Sequence, residues 1–174
     1  MIEIQQFAYQ IMESVQDMLK WHLENVKGKI AQAMADNGRN ASGRSVASLS
    51  IEVNGNVGTL FGSKSFLVME HGKKPGKVPY RFRDIIKQWI IDKGISVTPI
   101  PTKKRQSKYS PHERGLNTMA GAIAYKIMKE GTKLYRDNGY NDIFTSAVRE
   151  ELETFGNELI IFTSNTIAEI NKQD

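Results

Sequence analysis

The sequence predicts an α+β fold: a small antiparallel sheet of about three strands packed by a long N-terminal helix, with additional helices toward the C-terminus. Three observations carry that prediction. Apolar residues recur every three or four positions from Ile4 to Met34, the period of a single helix face. Leu49, Ile51 and Val53 then alternate with polar residues, as a half-buried strand requires. Asn54-Gly55 follows at once, a dipeptide that favours a type I′ hairpin because both central residues of that turn take positive φ.

The first helix is expected to stop near Asn37 and Gly38, a terminating pair because glycine accepts the left-handed conformation. Ser42 can cap a short turn of helix before the first strand. Residues 57–61 supply the return strand and residues 65–70 a third, with Glu70 and His71 at its polar end. Three antiparallel strands with one polar face need a cover, which the first helix provides. Pro75, Gly76 and Pro79 prevent further regular pairing. Residues 81–93 read as a helix with Phe82, Ile85, Ile86, Trp89 and Ile90 on one side and Gly94 as its stop. Residues 96–117 hold Pro99, Pro101, Pro111 and five basic side chains with little apolar content, which predicts a mobile loop rather than a routine connection. Residues 119–134 resume as a helix rich in small residues, and Asn141 or Asp142 can cap a final helix through Phe144, Val148, Leu152, Phe155, Leu159, Phe162 and Ile167. Within it, the run 160–162 reads equally as a strand.

A chain of 174 residues suits one domain, which here spans 1–174 with a helical insertion and basic loop at about 73–117. A composition 40% hydrophobic and 25% charged is that of a globular protein rather than a disordered or fibrous one. The N-terminus has neither a basic n-region nor an unbroken apolar h-region, and no apolar run approaches the roughly eighteen residues of a membrane span. A cytosolic chain with no membrane partner is therefore expected. The absence of cysteine excludes disulfides, thiolate nucleophiles and Cys-ligated zinc.

Charge is distributed unevenly. Residues 70–114 carry twelve Lys and Arg against four acids, a local +8, whereas residues 140–174 carry two basic residues against seven acids, a local −5. Opposed charge of this kind fits docking of one copy on another, contact of the basic region with nucleic acid, or two solvated faces.

Signs of catalysis are few. The three histidines, His22, His71 and His112, form no HExxH or HxxxH arrangement that would aim two imidazoles at one metal. Neighbouring strand residues point to opposite faces, so Glu70 and His71 make a poor acid/base couple. There is no GxSxG elbow, no GxxxxGK[ST] phosphate loop and no GxGxxG after a strand. Lys103, Lys104 and Arg105 can attract phosphate by counterion release, without the interleaved aromatics of a specific nucleic-acid reader. No catalytic residue, cofactor or metal is expected.

The order of motifs resembles a family, the neck or tail-completion proteins of long-tailed double-stranded DNA bacteriophages, also described as head-tail joining or minor tail proteins. After a long N-terminal helix, that family has a segment of the type T-G-x-L-x-x-S-I, and the stretch SGRSVASL containing Gly43 is similar to it. A hairpin and a strand of the type Y-x-x-[YF]-[VL]-E-[FHY]-G-[TRK] follow, loosely matched by SFLVMEHGK with Glu70 and Gly72. Next come KKPGKVP, with Pro75 and Gly76, and WIIDKGI, with Trp89 and Gly94. AYKIMKEGT and a terminal amphipathic helix complete the likeness, which covers most of the chain. Ser42 stands where the family has threonine, Ser45 where it has leucine, and Ser65 and Val68 where it has aromatics.

The resemblance implies a structural, non-enzymatic virion protein, assembled in the bacterial host cytoplasm. It would form a homo-oligomeric ring, hexamer or dodecamer, between portal or adaptor and tail proteins and around the DNA channel. A cyclic ring needs two different surfaces on each copy, which the basic middle and acidic C-terminal helix would supply. Lys73, Lys74, Lys77, Lys103, Lys104, Arg105, Lys108 and Arg114 are then candidates for a subunit interface or for non-specific contact with packaged DNA. The alternative is a basic DNA-binding accessory protein using the 96–117 loop.

Overall fold

A computed structural model describes residues 2–102 and 108–172. Among the described residues seven helices and two strands follow in the order α1 (Ile2–Asp36), α2 (Arg44–Ala47), β1 (Ser50–Asn54), β2 (Val57–Phe61), α3 (Ser65–His71), α4 (Phe82–Asp92), α5 (Pro111–Glu130), α6 (Lys133–Arg136) and α7 (Thr145–Ile170). The α+β class holds, but the sheet has two strands rather than about three. The chain divides into two compact units: Met1–Asn37, Arg44–Phe66 and Asp142–Asp174 form the first, Gly38–Gly43 and Leu67–Asn141 the second. The segment read as an insertion falls wholly within the second.

In the first unit α1 packs on both strands and on α7. His22, Val26, Ile30 and Met34 recur at every fourth position and are all buried, the ridge by which one helix seats against its neighbours. α1 ends as expected, with Gly38 at φ 60. β1 and β2 pair antiparallel from Ser50↔Phe61 to Asn54↔Val57, so the turn residues are Gly55 and Asn56 rather than Asn54 and Gly55. Of the two, only Gly55 has positive φ, at 58, the pattern of a type II′ turn with glycine first. Gly58 faces α1, where a Cβ would stand 2.7 Å from a Leu23 methyl. Leu49 and Phe66 close over Gly62 at the end of the hairpin.

The third strand expected at 65–70 is instead α3. Ser65, Phe66, Met69 and Glu70 are its buried or half-buried positions, two pairs four residues apart that a helix brings to one face. Leu, Met and Glu favour helix there over the strand read from the apolar run.

In the second unit α4 lies on α5. Ile86, Ile90, Leu116 and Ala120 form the buried core, with Phe82, Val97, Met119, Ile123, Ala124 and Ile127 packed around it. Ile85 and Trp89, expected on the same buried side, are 51% and 40% exposed. α4 stops in a Schellman motif: Gly94 N–H donates to Ile91 O and Ile95 N–H to Ile90 O, with Gly94 at φ 63. α5 begins at Pro111, eight residues before the sequence reading placed it. Ser110 accepts from the Glu113 amide while the Glu113 carboxylate accepts from the Ser110 amide, a capping box with proline in the first turn. Those local bonds start a helix where apolar content is low, so residues 96–117 are not one continuous loop. Gly115 makes room for the chain alongside, since a Cβ there would meet Thr98 O at 2.2 Å.

α7 runs unbroken through residues 160–162, removing the strand alternative. The N-cap of α7 is Phe144, without a side-chain cap bond, rather than Asn141 or Asp142; Asp142 accepts from the Ser146 amide and hydroxyl from two residues farther out.

A buried polar cluster joins α1 to α7. His22 Nδ1 lies 2.8 Å from Glu151 Oε1 and Nε2 3.1 Å from Glu158 Oε2. Asn25 donates to Glu151 at 3.0 Å, and Lys29 pairs with the same carboxylate at 3.0 Å. The imidazole edge is held between Trp21 and Phe155. Burial alone would raise the Glu151 pKa, but hydrogen bonds from Asn25, His22 and Lys29 outweigh it and lower the value from 4.5 to about 2.

A depressed carboxylate stabilises the fold above its unfolded pKa, and that contribution is lost as pH falls through the folded value. Acid titration of unfolding is therefore expected to show a decline in stability between about pH 4.5 and pH 2 that Glu151→Gln flattens. At neutral pH Glu151→Leu, which removes the carboxylate from His22, Asn25 and Lys29, should cost about 3–5 kcal/mol in urea unfolding. An unchanged acid limb in Glu151→Gln would contradict this assignment.

Candidate interaction surface

The basic residues concentrate in one of the two units. Counted over the whole sequence, the second unit holds 17 Lys and Arg against six acids, a net +11, and the first holds seven against 13, a net −6. Part of the positive charge is neutralised locally, by Arg81 with Asp84, Arg136 with Glu130 and Lys133 with Asp137.

The segment 72–77 is a shaped loop moored to the end of α5. Gly72 N–H donates to Val68 O at the end of α3, and with φ at 75 the chain turns sharply away. The Lys73 amide donates to Thr132 Oγ1 at 2.9 Å, and the Thr132 amide donates back to Lys73 O at 2.9 Å. Gly76 N–H donates to Met128 O at 2.9 Å. Neither mooring point has space for a side chain. A Cβ on Gly72 would lie 2.7 Å from Thr132 Oγ1 and the Tyr135 amide nitrogen, and one on Gly131 would lie 2.6 Å from Lys73 O. Gly131, at φ 83 and ψ 178, occupies a backbone region that is essentially glycine's alone; it also ends α5 at Glu130, short of the 134 expected.

Behind the loop, Glu70 is fully buried and accepts from the Tyr140 hydroxyl at 2.7 Å. Asn141 fastens the same place, its amide donating to Glu70 O and its side chain to Met69 O, each at 2.9 Å. His71 is exposed with its ring 5.4 Å from that of Tyr140. Glu70 and His71 thus diverge, one inward and one outward, and hold the turn rather than meet at a common atom.

The predicted residues part company here. Lys74 and Lys77 are exposed, whereas Lys73 is half-buried and its ammonium turns back onto Lys74 O at 3.1 Å. Lys108 lies over the Tyr109 ring, 5.7 Å from its centroid. Arg114 is drawn into the fold, donating from Nε to Ile100 O at 2.8 Å and from a terminal nitrogen to Tyr109 O at 2.5 Å. Lys103, Lys104 and Arg105 lie outside the described residues. Of the motif positions, Gly43 turns at φ 73 beside Asn40, and Pro75 rests against the space that a side chain on Gly131 would need. Sequence reasoning missed Tyr125, Lys126, Met128 and Lys129, exposed on the end of α5; the bonds of Lys73 with Thr132 and of Gly76 with Met128 reveal that the two stretches adjoin.

Among the described residues no group of three or more His, Asp or Glu is placed to hold a metal ion, and no helix is long and apolar enough to cross a membrane. No protein-family model, no curated protein and no solved structure matches this chain.

Gly131→Ala is expected to destabilise the second unit by about 1–3 kcal/mol from backbone strain alone, with the close approach to Lys73 O adding to it. Gly28→Ala, in the interior of α1 with nothing within 4 Å of the new methyl, should instead stabilise by about 0.5–1 kcal/mol. Denaturant unfolding of the two variants checks the contrast, and equal effects would contradict the mooring.

Proposed function

We propose that the chain is a structural virion protein of the bacteriophage head-tail connector, a neck or tail-completion component that assembles side by side with identical copies between portal and tail around the DNA channel. The observation that carries the reading is the partition of charge between the compact units, +11 against −6. Copies that each present one basic and one acidic body can associate head to tail, the heterologous contact from which rings close, and complementary charge steers that encounter. The sequence of motifs from Gly43 to Gly94 supports the same class of protein. In this reading Lys74 and Lys77 meet a neighbouring copy or passing DNA, and the protein works by being held rather than by turnover.

A DNA-binding accessory role is the second reading, favoured by the exposed Lys74 and Lys77 beside Tyr80, which is 91% exposed, since cation and ring together suit a phosphate backbone and its bases.

Light scattering and negative-stain microscopy of the purified chain, alone and with portal and tail proteins, test the proposal. Assemblies are expected that weaken as salt rises beyond about 0.15 M, where the screening length is ~8 Å. Monomers that bind no virion component at any ionic strength would overturn it. Gel shifts that collapse between about 50 and 200 mM salt, without assembly, would favour the second reading.

A further inference from the structure

α7 carries a second apolar stripe besides the one that faces α1. Ala147 and Glu151 are buried, and Phe155, Leu159 and Phe162 half-buried, along its inner side. Leu152, Gly156, Ile160, Thr163, Ile167 and Ile170 recur at intervals of four, four, three, four and three. At 100° per residue they fall within about 80° of one another and extend about 27 Å along the helix. This outer stripe is uncovered: Leu152, Ile160, Ile167 and Ile170 are 62%, 66%, 53% and 46% exposed, and a methyl on Gly156 would meet nothing within 4 Å. A contiguous apolar strip of this length on a helix marks a place where another surface docks. Exposed Glu153 stands beside its first half and exposed Arg149 at its head, while Glu150 lies farther round the helix, paired with Lys29.

From this stripe we infer that α7 packs against the second unit of another copy of this chain, at the moored loop and the end of α5. That inference rests on the self-assembly proposed above and names its two surfaces. The end of α5 offers the matching chemistry. Tyr125 and Met128 are 59% and 41% exposed, flanked by exposed Lys126 and Lys129 on the same helix and by Lys74 and Lys77 on the loop that Gly76 fastens to Met128 O. Apolar contact in the middle and opposite charges at the rim are the usual anatomy of a specific interface. Pairing of α7 with α7 sets two units of net −6 against each other, and a nucleic acid gains nothing from docking on a unit of that sign. The second copy's basic unit is the occupant that satisfies both the stripe and the charge of the unit that carries it.

The absence of cysteine from the chain allows a direct test. Ile160→Cys and Tyr125→Cys are made in separate preparations, checked for native helicity by circular dichroism, and oxidised with copper-phenanthroline alone and mixed. Mixing is expected to give a covalent pair in a yield about tenfold or more above either variant alone. Ile160→Glu with Ile167→Glu, both at exposed positions, should weaken self-association by at least about tenfold without loss of helicity. Cross-linking of Ile160→Cys with itself, or assembly that the glutamates leave intact, would overturn the inference while leaving the ring reading in place. A wild-type chain that stays monomeric throughout would overturn both.

Discussion

Two backbone stretches remote in sequence approach in the second unit until neither tolerates a side chain. Gly72 lies against Thr132 and the Tyr135 amide, and Gly131 against Lys73 O. The paired hydrogen bonds between Lys73 and Thr132 depend on that approach, because a Cβ at either glycine would separate them. The placement of the loop depends on it in turn. Pro75 and Gly76 can follow the end of α5 only once Lys73 is fixed there, and Lys74 and Lys77 then stand on a loop fastened at Thr132 and Met128. Preorganisation of this kind lowers the ordering cost of any contact the lysines make.

Charge is the second constraint. A body with a net +11 repels itself, and that repulsion opposes compactness. Short-range pairs such as Arg81 with Asp84 and Arg136 with Glu130 offset part of it, but as exposed pairs they contribute little each. Cohesion comes mainly from the core of Ile86, Ile90, Leu116 and Ala120. In the first unit the arrangement differs, since its excess acids include Glu151 and Glu158, drawn together around His22 with Lys29 at the rim. What remains on α7 is an uncovered apolar stripe on a unit of net −6, the complement in sign and character of the loop and the end of α5.

Features set by local periodicity were legible in the sequence. α1, α4 and the hairpin follow from spacing and from the glycines that end or turn them. α3 was misread because five apolar or weakly polar residues in a row carry no period of their own; burial of Glu70, set by Tyr140 seventy positions away, decides the helix. The start of α5 was missed because its signal is a cap rather than a stripe, the reciprocal bonds of Ser110 and Glu113. The second stripe of α7 was hidden inside the first, with Leu152 and Ile167 assigned to the face that Phe155 and Phe162 occupy. For the surface, composition marked the lysines but not their arrangement. Lys73 and Arg114 are basic residues like the others until their hydrogen bonds tie them to backbone carbonyls.

Everything assigned to the basic surface assumes that the 72–77 loop is formed before any partner arrives, and native-state hydrogen exchange of the isolated protein measures that most directly. The amides of Lys73, Gly76 and Thr132, each bonded across the mooring, are predicted to exchange about as slowly as amides inside α5. Exchange of these three at the rate of an unstructured peptide, with α5 still protected, would contradict the account.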